Sequence, residues 1–254
     1  MILYLDLKSE FLKTKRTNIR KMVFIIPIIC SLLAVGFNFL GGSEIVRLSV
    51  ETIINHWGII WVSVFIALTT GLLNNLEKKG THFKTIIGLP INLHKKEISR
   101  TLLISGFLAI GSLTLIMLLI LASLLIQTTP YLVPLSSCIV AVFLTYFVTL
   151  WQVPFCLWLS RKTNLFITLL LNSMLNLNLG SIFAPTEDWW MIPYSWHLRM
   201  LMPVTQLHSN GIPLPENDGL LNYSVVPIAI ILGLVFFILL TFITAKSFNK
   251  IEVK

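Results

Sequence analysis

A chain of 254 residues that is 56% hydrophobic and only 12% charged has too few ionisable side chains to cover a globular surface. Its formal net charge of +8 would suggest nucleic acid in a soluble protein. Here the cations sit at the ends of long apolar runs, where anionic lipid headgroups attract them, which argues against nucleic-acid binding.

The first twenty-one residues are largely polar. Leu3, Tyr4, Leu7 and Phe11 fall on one helical face and Asp6, Glu10 and Lys13 on the other, which predicts an interfacial helix on the inner leaflet. A disordered basic arm is the alternative. No small-x-small processing site precedes the first apolar run, so that run reads as an anchor and not as a cleaved signal.

Six stretches free of charge follow, at residues 22–40, 57–73, 102–126, 131–159, 165–184 and 225–245. Each is long enough to cross about 30 Å of hydrocarbon as a helix. An Asp, Lys or Arg at a bilayer centre costs at least about 2.5 to 3.5 kcal/mol, so uncharged runs insert. The expected class is an all-α membrane protein, a single transmembrane domain over 1–254. Cys30, Cys138 and Cys156 fall inside spans, with no metal or disulfide spacing, and read as small apolar fillers. Pro27 and Pro154 each remove a helical hydrogen bond and are candidate kinks. In the fifth span Asn172, Asn176 and Gly180 recur every four residues. They form either a polar wall at a subunit interface or translocation path, or ordinary interhelical hydrogen bonding, the commoner use of such residues.

All but two of the nineteen Lys and Arg residues lie in the N-terminal arm, the second-to-third and fourth-to-fifth connections and the C-terminal tail. Only Arg47 and Arg199 lie on the other side, with Glu44, Glu51, Glu187, Asp188, Glu216 and Asp218. Cations are retained in the cytoplasm, so both termini are expected there, in the cell membrane.

Two connections carry candidate sites. The second-to-third loop, 76–98, is too polar to span. Phe83, Ile86 and Ile87 share a face of a short helix with a basic back, and Pro90 breaks helical geometry at Leu89. The 185–223 segment holds Trp189, Trp190, Tyr194, Trp196 and Arg199. Ser195 is read as capping a helix that Pro203 stops. Glu187 and Asp188 beside the two Trp could attract a cationic amphipathic peptide. The plainer reading is an aromatic belt seating the loop at the headgroups.

At Glu77, Gly80, Thr81, Leu89, Pro90 and Lys95 the chain resembles the membrane subunits of ABC-2-type transporters. The run from Lys8 to Thr17 and the segments Ile192 to Met200, Met202-Pro203 and His208 to Gly211 are similar to the lantibiotic-immunity permeases of the epidermin and mutacin branch. His197 and Gln206 depart from that pattern. The resemblance implies a non-catalytic subunit of a pump that protects a Gram-positive cell by moving lantibiotics off its membrane. It also implies two copies of a separate ATPase that holds ATP and magnesium, a second six-span permease, and a coupling helix docking on the ATPase through Glu77, Gly80, Thr81, Phe83, Ile86, Leu89 and Pro90. No P-loop spacing occurs in this chain: Gly80-Thr-His-Phe-Lys-Thr has one Gly and the wrong interval. Another exported substrate, or a sensor that sequesters peptide without export, stays open. No Glu, Asp or His falls in a predicted span, which argues against an intramembrane hydrolase or a proton-coupled carrier.

Overall fold

The computed structural model describes residues 2–40, 49–81, 92–126 and 133–248. Among them, five helices are long and apolar enough to cross a membrane, and six if a bent pair counts as one crossing. No strand occurs in these residues, only an isolated bridge between Leu207 and Pro213. An all-helical fold suits lipid, because a helix satisfies its own backbone polar groups where water is absent.

The N-terminal helix, Ile2–Lys13, is followed by span one, Asn18–Leu40. Span two is built from Ser49–His56, a π-helical turn Trp57–Trp61, and Val62–Thr81. Span three, Leu93–Leu125, starts at Asn92, whose side chain accepts from the Lys95 amide. Span four is Leu135–Thr149 plus Gln152–Lys162, bent by 49°. Span five joins Leu165–Leu175, a second π-helical turn Asn176–Gly180, and Ser181–Phe183, and span six is Val225–Phe248.

Several of these helices overrun their predicted limits. Span two starts eight residues earlier than expected, so Glu51 and His56 belong to it, and span three starts at Leu93 and takes in Glu97 and Arg100. The expectation that no Glu, Asp or His lies in a span is thereby corrected. A charge run ends a span only if those charges need water, and Lys96, Glu97 and Arg100 are paired inside the protein. Pro27 lies within the unbroken helix of span one. Pro154 has no N–H for the Leu150 carbonyl, and the bend of span four falls just before it. Span six then crosses span four so closely that a Cβ at Gly233 would lie 2.8 Å from the Val148 carbonyl.

Two local expectations are also corrected. The N-terminal helix forms with Tyr4 and Phe11 exposed, but its polar face is only partly open, because Glu10 is fully buried while Lys13 stays exposed. The segment after span five makes two 3-10 turns, Glu187–Met191 and Pro193–Ser195, and then a helix, Trp196–Thr205. Ser195 does not cap it; its hydroxyl donates back to the Trp189 and Ile192 carbonyls. Pro203 lies inside this helix, which ends at Gln206 in a left-handed conformation, φ 57°. Every residue from Trp196 to Thr205 is buried, packed against spans two, four and six.

Candidate functional site

Span two carries a polar seam along the face it turns to spans four and five. At one end the seam is ionic. Glu10 of the N-terminal helix sits 2.5 Å from Lys96 and 3.1 Å from Lys13, with Arg100 at 3.9 Å. Lys13 reaches on to Glu77 at 2.6 Å, near the end of span two. Glu97 takes Arg100 at 3.0 Å and Arg161 of span four at 2.7 Å. Arg100 also donates to the Asn74 side-chain oxygen, whose amide donates to the Ser160 hydroxyl at 2.5 Å and the Leu157 carbonyl at 2.8 Å. The Arg161 guanidinium lies 4.6 Å over the ring of Phe248, at the end of span six. One cluster thus ties the N-terminal helix to spans two, three, four and six. Burial alone would push the Glu10 carboxyl up, but Arg100, Lys13 and Lys96 together outweigh it and hold it below its ordinary value.

Further along, the seam is neutral. The Ser63 hydroxyl and the Asn172 amide both donate to the Gln152 oxygen at 2.9 Å, and Asn172 also reaches the Ser63 carbonyl at 3.0 Å. The Tyr194 hydroxyl donates to the Asn172 oxygen at 2.9 Å. Next come the two π-helical turns, which face each other. A π turn displaces carbonyls from their helical partners, and here side chains claim them. Asn176 donates to Gly58 and Ile59 carbonyls at 3.0 and 2.5 Å, and His197 Nε2 lies 2.9 Å from the Gly58 carbonyl, which fixes that nitrogen as the donor. A Cβ on Gly180 would fall 2.8 Å from the Tyr194 carbonyl, so glycine lets the far-end segment dock on span five.

Helices of this length and apolarity, joined by buried polar contacts, fit a multi-pass membrane protein. A family model described as ABC-2 family transporter protein matches residues 7–178. The chain belongs to that family. No curated protein and no solved structure matches it. As an ABC-2 family protein it is a multi-pass membrane component of an ABC transporter, generally non-catalytic, that works with an ATPase partner.

The structure disperses the residues singled out in the sequence. Of the coupling set, Glu77 is in the ionic cluster, and Gly80 and Thr81 form the last turn of span two; Phe83, Ile86, Leu89 and Pro90 lie outside the described residues. Of the far-end set, Glu187, Asp188 and Trp190 are exposed, whereas Trp189, Trp196 and Arg199 are buried. Trp196 donates to the Trp190 carbonyl at 2.8 Å and Arg199 to the Leu220 carbonyl at 2.7 Å. Asn172 and Asn176 point into the bundle's own seam. Sequence reasoning missed Gln152, Ser63 and Asn74, and it named Tyr194 and His197 without linking either to the seam. Gln152 and Asn74 could have been found, since an amide in an apolar run needs a partner.

Proposed function

We propose that this protein is the permease subunit of a pump that takes lantibiotics or related cationic antimicrobial peptides off a bacterial membrane. A second six-span permease completes the path, and a pair of ATPase subunits binds at the basic end, on the cytoplasmic side with both chain termini. The observation that carries the mechanical part is the buried ionic cluster. It ties the N-terminal helix and Glu77 to Lys96, Glu97 and Arg100, on both sides of the 82–91 connection. A push from an ATPase on that connection would move spans two and three with the N-terminal helix as one body, because separating buried charges costs several kcal/mol. ATP and magnesium belong to the partner in this reading.

The peptide part is supported by the far end. Glu187 and Asp188 are exposed beside exposed Trp190 and Met191, an acidic surface with apolar edges that suits a cationic amphipathic peptide. Buried Trp189, Trp196 and Arg199 then act by holding that surface. The test is ATP hydrolysis by the complex reconstituted with its ATPase and a panel of lantibiotics. Stimulation that falls at least tenfold in apparent affinity in a Glu187→Gln, Asp188→Asn double variant is expected. Binding without stimulation would favour a sequestering sensor, and stimulation by unrelated amphiphiles alone would point to another exported substrate.

A further inference from the structure

Glu10 pins its own face of the N-terminal helix against span three, and the flanking edge that carries Leu7 and Phe11 is left open beside the same span. Between them runs an apolar groove of about 360 Å³, walled by Leu7, Phe11, Leu103, Phe107 and Ile110, with Lys8 at its rim. Its floor is Gly106, where a Cβ would meet nothing within 4 Å. Arg20 lies 4.1 Å over the Phe11 ring and donates to the Phe11 carbonyl at 2.7 Å, so a second cation borders the same wall.

We infer that this groove seats one acyl chain of an anionic phospholipid, with Lys8 and Arg20 meeting its phosphate. The groove is apolar inside and cationic at one end, the complement of an anionic amphiphile. It follows span three for about 12 Å of helix axis. It also opens on the perimeter at the basic end, where Tyr4 is 66% exposed and Phe11 44%, and where juxtamembrane cations attract anionic headgroups. A bound lipid would fill the gap between the N-terminal helix and span three and clamp the helix from the side that Glu10 does not reach.

The experiment equilibrates the full-length protein in detergent with equal phosphatidylglycerol and phosphatidylcholine, and counts co-purifying phospholipid by native mass spectrometry. The wild type is expected to keep one phosphatidylglycerol per chain, preferred at least tenfold. Gly106→Leu fills the floor and should lose it, while Gly106→Ala should keep it. Lys8→Glu should keep a lipid but lose the preference for the anionic headgroup. Retention of both lipids alike by the wild type, or undiminished retention by Gly106→Leu, would overturn the inference, as would recovery of a bound peptide in place of lipid. Should Gly106→Leu not fold, photolysis of p-benzoylphenylalanine substituted for Tyr4 decides: an adduct with phosphatidylglycerol supports the seat, and its absence refutes it.

Discussion

The two halves of the polar seam solve the same problem with different chemistry. At the basic end seven charged side chains are drawn together, and toward the other end amides, hydroxyls and the carbonyls of two π turns take over. The difference follows depth. A charge at a bilayer centre costs at least about 2.5 to 3.5 kcal/mol, whereas a buried amide costs little once its hydrogen bonds are made. Strong, exacting contacts therefore lie at the basic end, where we propose that the ATPase pushes, and weaker, exchangeable ones in the interior.

The sharpest way to break this contrast is Glu97→Gln. It leaves Arg100 and Arg161 without their shared carboxylate and should cost about 3–5 kcal/mol, read as a fall in the unfolding midpoint in detergent. Glu10→Gln should cost about 3 kcal/mol and free the N-terminal helix, measured as faster proteolysis at Lys13 and Lys15 with the spans intact. Acid should mimic it: since the native Glu10 carboxyl titrates below its ordinary 4.5, its contribution is complete above that value and is lost as pH falls through the lower native one. At the neutral end, Asn172→Leu removes three contacts at about 0.6 to 2 kcal/mol each, partly offset by added apolar surface, for a net loss near 2 kcal/mol, independent of pH between 4 and 8. Gly180→Ala, which forces a methyl against the Tyr194 carbonyl, should cost about 1 kcal/mol and loosen the far-end segment, seen as faster amide exchange at Trp189 to Tyr194.

The spans were legible because apolar length is a direct readout of the hydrocarbon that a helix must cross. Their true ends were not, since Glu97 and Arg100 look like loop residues until Glu10 and Arg161, distant in sequence, are brought beside them. The same non-local pairing hid the neutral half: Asn172 and Asn176 stood out in an apolar run, but nothing local to them points to Gln152 or to the Gly58 carbonyl. A π turn has no compositional mark, so the acceptors it exposes could not be read from the chain. The N-terminal helix was visible by its amphipathic pattern, yet the pattern alone does not say that protein, and not water, meets Glu10.

The wholly buried helix Trp196–Thr205 has a consequence for biogenesis. Trp196 packs edge-on to Phe236 of span six at 5.7 Å, a span that leaves the ribosome later. Until that span arrives, one wall of the cradle for this helix is missing, so it must wait unseated while the earlier crossings assemble. Maturation of the bundle therefore ends with the last span closing over a segment translated before it, and a chain truncated ahead of Val225 would present that helix to quality-control proteases.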